Sequence, residues 1–421
     1  MILLIQWLSQ PFLHRKKVSK MTKILVINCG SSTIKYQLIN MDSKEVLCSG
    51  LVEKIGEATS RITHKKFPDT EAATKTVIEE RYPTHAEGMR KAVEMMMTGD
   101  TAVITDISEI AGVGHRVVHG GSYLKPMVVT DEVKMNLEKV IPLAPLHNPA
   151  HLIGINVAQE IFSNAKHVVV FDTAFHQTMP DYAYMYPLPY EIFEKYSVRK
   201  YGAHGTSHKY VARRAAELLG KPLTHCNLIT CHIGSGSSVS VIKEGRCIDT
   251  SMGLTPLDGL MMGTRCGSID PATVGFLMRN AGMDVEQVDK MMTKESGLIG
   301  ICGVNDMRDV HAKIEQGDEK AKLALNMLTY RIRTFIGAYF AQLNGQLDAL
   351  VWTAGVGEND EIVRREVVNG LTGLGFKLDE NENNKRAGEF ALISSSDSKF
   401  KIFVIRTNEE LEIANETLAL L

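Results

Sequence analysis

No cysteine pair in the 421-residue chain is spaced C-x-x-C, and the seven cysteines are odd in number. Neither a disulfide framework nor a zinc knuckle is implied, and a reducing cytoplasm is the expected compartment. An excess of charge is missing too. With 47 basic and 49 acidic side chains the formal net charge is −2, which gives no electrostatic ground for nucleic acid or an anionic membrane as partner. The apolar run at residues 1–8 is too short to span a bilayer, and the basic Arg15-Lys16-Lys17 follows it, the reverse of a secretory signal's order. Residues 1–20 are therefore expected to be a leader, disordered or not native, with a peripheral anchor as the alternative. Gly-Lys-Ser/Thr is absent, as are a dinucleotide fingerprint and an H-E-x-x-H pattern.

What remains is an ordinary globular composition, 44% hydrophobic and 23% charged, long enough for two domains with separate cores. Two segments far apart in the chain share one layout of apolar run, Gly/Ser turn and alternating strand. The first is Ile24-Leu25-Val26-Ile27-Asn28-Cys29-Gly30-Ser31-Ser32-Thr33, continuing through Lys35; the second is Leu228-Ile229-Thr230-Cys231-His232-Ile233-Gly234-Ser235-Gly236-Ser237-Ser238. Glycines at such a turn let backbone N–H groups approach an anion, and hydroxyls add donors. Taken singly, each is equally an ordinary hairpin. Their repetition, with Asn28 and His232 at matching strand ends, predicts one phosphorylated ligand between two similar domains.

Strands are expected at 113–118, 167–172, 349–353 and 401–405. Helices are expected at 85–97, 131–140, 209–219 and 409–420, and 271–345 reads as mostly helical with 320–342 its longest periodic stretch. The class is α/β with two related halves, the boundary falling just after Asp172.

The candidate chemistry sits at strand ends and in Gly-rich turns. Arg116 interrupts an apolar strand, where an unpaired charge is costly, so it needs a structural ion-pair partner or an anionic ligand. Asp172 ends another apolar strand, a place for a carboxylate that meets substrate or metal, or for a plain turn cap before Thr173. Arg265 lies between glycines and could clamp a transferring phosphoryl group together with Arg116. Thr353-Ala354-Gly355-Val356-Gly357-Glu358-Asn359 follows a strand and opens a helix, a geometry for a nucleotide or an ordinary strand-to-helix turn. Three H-x-x-x-H pairs, His115/His119, His147/His151 and His204/His208, raise a metallohydrolase. Their contexts argue against it: a strand-like run, Pro149 and Gly205 in turn.

Asn28-Cys29-Gly30-Ser31-Ser32, Gly114-His115-Arg116-Val117-Val118-His119-Gly120-Gly121, Ala144-Pro145-Leu146-His147-Asn148-Pro149 and Phe171-Asp172-Thr173-Ala174-Phe175-His176 together resemble the acetate kinase family of short-chain carboxylate kinases. So do His204-Gly205-Thr206-Ser207-His208, Gly263-Thr264-Arg265-Cys266-Gly267-Ser268-Ile269-Asp270-Pro271, the 353–359 turn and Thr407-Asn408-Glu409-Glu410-Leu411. The likeness runs in order from Lys23 to the C-terminus. It implies a duplicated actin-like ATPase fold of the acetate and sugar kinase, heat-shock chaperone and actin superfamily. An N-terminal domain at 21–172 and a C-terminal domain at 173–407 would enclose a nucleotide cleft, with 408–421 packing back on the first and a dimer interface on the second. The implied activity is reversible transfer of the ATP γ-phosphoryl group to acetate, with Mg²⁺ (or Mn²⁺ in its place), by a cytoplasmic homodimer; propionate is the close alternative substrate.

By the same resemblance Arg116 and Arg265 bind the carboxylate and the transferring group, His204 hydrogen-bonds that group, and Asp172 orients substrate and metal. Asn28 and Glu409 match the magnesium positions. ATP would meet Ser31, Thr33 and Lys35 in the first loop and His232, Ile233, Gly234, Ser235 and Gly236 in the second. Asp306, Met307 and Arg308, with Gly355, Val356, Gly357, Glu358 and Asn359, would hold adenosine. The acyl pocket would comprise Val118, Leu146, Ala203 and Pro256. Ala203 stands where the family usually has phenylalanine, and Ser235 where it usually has asparagine. A non-catalytic actin- or chaperone-like ATP-binding protein would share the hairpins but has no need of Arg116, His204 and Arg265.

Overall fold

The computed structural model describes residues 21–145 and 147–421, so the expected leader at 1–20 and the pocket candidate Leu146 lie outside the described residues. Eight strands form the first sheet: β1 (Lys23–Cys29), β2 (Ile34–Asn40), β3 (Glu45–Glu53), β4 (Ser60–Lys66), β5 (Thr74–Glu80), β6 (Ile110–Val117), β7 (Met127–Val128) and β8 (Lys166–Phe171). Their order is β5-β4-β3-β2-β1-β6-β8-β7. The second sheet holds β9 (Leu228–Ile233), β10 (Ser237–Lys243), β11 (Arg246–Thr250), β12 (Ala349–Thr353), β13 (Phe390–Leu392) and β14 (Lys401–Ile405), in the order β11-β10-β9-β12-β14-β13.

One pattern occurs twice. β1, β2 and β3 form an antiparallel meander, and β1 runs parallel to β6, which runs parallel to β8. β9, β10 and β11 repeat the meander, with β9 parallel to β12 and β12 parallel to β14. This is the duplicated actin-like ATPase fold. Its central strands are buried on both faces, which is why β1 and β9 read as continuous apolar runs. Leu25, Ile27 and Cys29 face the helices His85–Met97 and Asn148–Ile161, while Ile24 and Val26 face the closing helix Glu409–Leu418. In the second sheet Ile229, Cys231 and Ile233 pack under the long helix Glu319–Gln342, and Leu228 and Ile242 under Gly205–Leu219.

Helix boundaries shift by one residue at Asp131–Lys139 and Glu319–Gln342 and by more at two others. The closing helix ends at Leu418, and the helix expected at 209–219 starts earlier, at Gly205. The Gly205 N–H donates to the Asp172 carbonyl at 2.9 Å, and a Cβ on Gly205 would sit 2.2 Å from that oxygen. The first turn is thus tied to the end of β8, and His204 enters it in the left-handed region at φ 58°.

Candidate active site

Arg116 lies on β6 across from Val170, and Asp172 is the first residue beyond β8. Its Nη2 donates to Asp172 Oδ2 at 2.5 Å, and its Nε stands 3.9 Å from Glu409 Oε2. Thr206 Oγ1 donates to the other Asp172 oxygen at 2.9 Å. Burial opposes the Arg116 charge, but Asp172 and Glu409 more than offset it, so the guanidinium holds its proton above its ordinary pKa. Glu409 opens the closing helix, which Asn408 caps. Burial pushes the Glu409 carboxyl up to about 7; Asp172 and Glu410 add to the rise, while Arg116 and Lys35 oppose it. Asn28, Lys35, Arg116, Glu409 and Glu410 line one cleft of about 440 Å³.

The second half contributes a histidine cluster and a guanidinium with no carboxylate partner among the described residues. His204 stacks on His232 with ring centroids 4.1 Å apart. Its Nδ1 lies 2.9 Å from Ser238 Oγ, and His232 Nδ1 lies 2.8 Å from Ser207 Oγ. A Cβ on Gly236 would come within 3.3 Å of both His204 Nε2 and Arg265 Nη1, so these atoms flank one gap beside the second Gly/Ser turn. Arg265 donates to the Pro256 carbonyl at 3.1 Å. Burial lowers its pKa with no carboxylate to offset it. A half-buried guanidinium of this kind is a ready anion ligand. His147, pulled below its ordinary value by burial and then by Arg116 and Arg265, lies close to both arginines.

Ile233, Gly234, Ser235, Asp306, Met307, Arg308, Gly355, Val356 and Asn359 line a second cleft of about 780 Å³. Asp306 caps the helix Met307–Glu315 and pairs with Arg308 at 2.6 Å. Glu358 is turned elsewhere: its Oε1 accepts from the N–H groups of Ala354 at 2.9 Å and Thr407 at 3.1 Å, tying the ends of β12 and β14 together. Gly357 gives its carbonyl to Arg364 Nη1 at 2.9 Å. In the first turn the Gly30 N–H donates to the Thr33 carbonyl at 2.8 Å, and Ser31 borders a separate open groove beside Pro83 and His85. Ala203 is buried against Met252 and Met262, and Val118 is buried as well.

Sequence reasoning missed several residues here. Asn305, His311, Asp360 and Arg386 also line the larger cleft, and His311 Nε2 meets Asp360 Oδ2 at 2.8 Å. Ser238 and His208 sit behind His204. The sequence marks His208 only as the partner of His204 in an H-x-x-x-H pair, not as a support for it; Ser238 offers only a polar position in a strand.

The profile described as the Acetokinase family matches residues 23–415. An acetate kinase of Oleidesulfovibrio alaskensis is 55% identical over 399 residues, covering 94% of this chain and 99% of that protein. One from Desulfotalea psychrophila is 54% identical over 401 residues, covering 94% and 99%. The crystal structure of Porphyromonas gingivalis acetate kinase superimposes with a TM-score of 0.90 at 40% identity, covering 95% of this chain and 99% of that one. A propionate kinase from Francisella tularensis gives 0.88 at 42%, covering 95% and 100%. With the duplicated fold and the paired clefts in place, the chain belongs to the acetokinase family.

Proposed function

We propose that this chain transfers the γ-phosphoryl group of ATP to acetate, reversibly, giving acetyl phosphate and ADP by direct in-line displacement. The observation that carries the reading is the flanking of one gap by His204 Nε2 and Arg265 Nη1, with His147 beside both Arg265 and Arg116. The carboxylate is ionised near neutral pH and attacks without a base, one of its oxygens bonding to the γ-phosphorus while the bond to the ADP oxygen breaks. Arg116 and Arg265 offset the charge spread over the transferring group, His204 donates to it, and Asp172 holds Arg116 in place. No covalent enzyme intermediate enters.

Asn28 and Glu409, which line one cleft, fit Mg²⁺, a hard ion that takes a few carboxylate or amide oxygens and keeps water and phosphate for the rest. When bound, the ion neutralises the phosphate oxygens. ATP occupies the larger cleft, with its phosphates at the second Gly/Ser turn. Two chains pair through the second domain, where the helix Ala272–Asn280 buries none of its residues and leaves Phe276 59% exposed; sedimentation velocity reads whether the chains pair. No helix among the described residues is long and apolar enough to cross a membrane, and the cysteines are unpaired, in keeping with work in the cytoplasm.

Incubating the protein with Mg·ATP and acetate and trapping acyl phosphate with hydroxylamine tests the reading. Acetohydroxamate matched to ADP release is the expected result, reduced by roughly 10²-fold or more in Arg265→Ala. ADP release without hydroxamate overturns it. Propionate is the second reading, favoured by the small Ala203. Met252 and Met262 already pack against this residue, so the gain in room is limited. Ala203→Phe is expected to raise the acetate-to-propionate ratio of kcat/KM by up to about tenfold, the order of one methylene. An unchanged ratio removes Ala203 from chain-length selection.

A further inference from the structure

Ser238 joins two imidazoles. Its Oγ lies 2.9 Å from His204 Nδ1 and 2.8 Å from His208 Nε2, and His208 Nδ1 lies 2.7 Å from Thr230 Oγ1. Ser238, His208 and Thr230 are fully buried, so their protons are shared within this row. A hydroxyl carries one proton and a neutral imidazole carries one, which leaves only two orientations for the whole row.

In the first orientation Thr230 donates to His208 Nδ1, His208 Nε2–H donates to Ser238, and Ser238 donates to His204 Nδ1. His204 then carries its proton on Nε2. In the second every bond is reversed, Thr230 donates to the Ser240 carbonyl, and His204 presents a bare Nε2. The distances favour the first. The 2.7 Å contact between Thr230 Oγ1 and His208 is kept in both, but the second leaves the Thr230 proton only the Ser240 oxygen, 3.5 Å away, where a hydrogen bond has lost most of its strength. Nε2 is also the ring nitrogen at the gap beside Gly236 and Arg265, with Cε1 next to it.

We infer that Thr230, His208 and Ser238 are positioning residues that hold His204 as its Nε2–H tautomer, making the neutral ring a hydrogen-bond donor toward the transferring phosphoryl group. This rests on the phosphotransfer reading above. Burial, then His232 and His208, then Arg116 and Arg265 all depress the His204 pKa, so the ring is neutral and its tautomer decides between donor and acceptor. A bare Nε2 would set a lone pair against a phosphoryl oxygen. The stacked His232 has its own Nδ1 bound to Ser207, whose hydroxyl meets Thr407 Oγ1 at 2.8 Å, and takes no part in the row.

The test is a two-bond ¹H–¹⁵N correlation spectrum of the full chain labelled at its histidine ring nitrogens, with His204 assigned by loss of its signals in His204→Gln. The expected spectrum shows His204 neutral and protonated on Nε2. A proton on Nδ1, or an imidazolium at pH 7.5, overturns the inference without any further variant. Ser238→Ala is expected to give a mixture of His204 tautomers and to lower kcat by about tenfold, with KM for Mg·ATP and acetate within about twofold. Ser238→Thr, which keeps the hydroxyl, should recover most of that loss. Parental turnover in Ser238→Ala overturns the inference; should that variant fail to fold, Thr230→Val removes the first donor of the row and is read in the same way. Absence of hydroxamate from the parent would defeat the phosphotransfer reading alone and leave the tautomer measurement standing.

Discussion

Gly236 has no side chain, and the space one would fill is bounded by the two groups proposed to meet the transferring phosphoryl group. A Cβ there would lie 3.3 Å from His204 Nε2 and 3.3 Å from Arg265 Nη1, closer than comfortable contact. Both side chains would have to give by a few tenths of an ångström. Positioning errors of that order cost far more in turnover than in stability, because the transition state is complementary to fixed donors. Gly236→Ala is accordingly expected to lower kcat by roughly 10- to 100-fold and to shift Tm by no more than about 3 °C, the equivalent of ~1 kcal/mol. Turnover within twofold of the parent would mean that His204 and Arg265 do not close on the reacting group. Much of this corner was visible in the chain: Arg265 between glycines and the Gly/Ser turn of 234–236 both mark it. Ser238 was not visible, because its partners His204 and His208 lie 34 and 30 residues away and only the fold unites them.

Among the elements, the closing helix holds Glu409 over the first cleft, and it rests on a seat made flat by glycines of β6. A Cβ on Gly114 would stand 2.4 Å from Thr417 Oγ1 and 2.8 Å from Ile413 Cγ2, and one on Gly112 would stand 2.9 Å from Leu421 Cδ2. Gly114→Ala must therefore lift the helix or push Ile413 out of a core in which it is 1% exposed. Overpacking of this kind costs about 1–3 kcal/mol, read as a lower urea midpoint at constant m-value, and turnover should fall with it because Glu409 moves. Unchanged stability and turnover would show the helix free to shift without consequence. The expected strands 349–353 and 401–405 coincide with β12 and β14, and both hairpins fall where the apolar runs and Gly/Ser turns put them. The meander from β3 to β5 escaped notice. β5 buries none of its residues, so its sequence lacks the alternation that marks a half-buried strand.

At the scale of the whole molecule, the two halves are clasped where the Gly205–Leu219 helix meets the closing helix. Glu412 is almost wholly buried there, and both its oxygens accept from Arg213 Nη1, at 3.2 and 3.0 Å. Lys209 pairs with Glu416 one turn further on and reaches Glu412 at 3.8 Å. Burial raises the Glu412 carboxyl above its ordinary value of 4.5 and outweighs the pull of Arg213 and Lys209. A carboxyl whose folded pKa is raised favours the folded state while protonated. That contribution is complete below 4.5 and is lost as pH rises through the folded value. Glu412→Gln keeps an acceptor for Arg213 and removes the titration. Relative to the parent its Tm should therefore be lowest near pH 4.5 and should improve steadily as the pH is raised past the folded value, levelling off once the parent's carboxyl is fully ionised. Thermal melts of the two proteins across pH 4.5 to 8 decide the matter. A difference in Tm that stays flat would mean that Arg213 and Lys209 offset the cost of burying the Glu412 charge in full, and one that turns against the variant as pH rises would mean that they stabilise that charge by more than burial costs it.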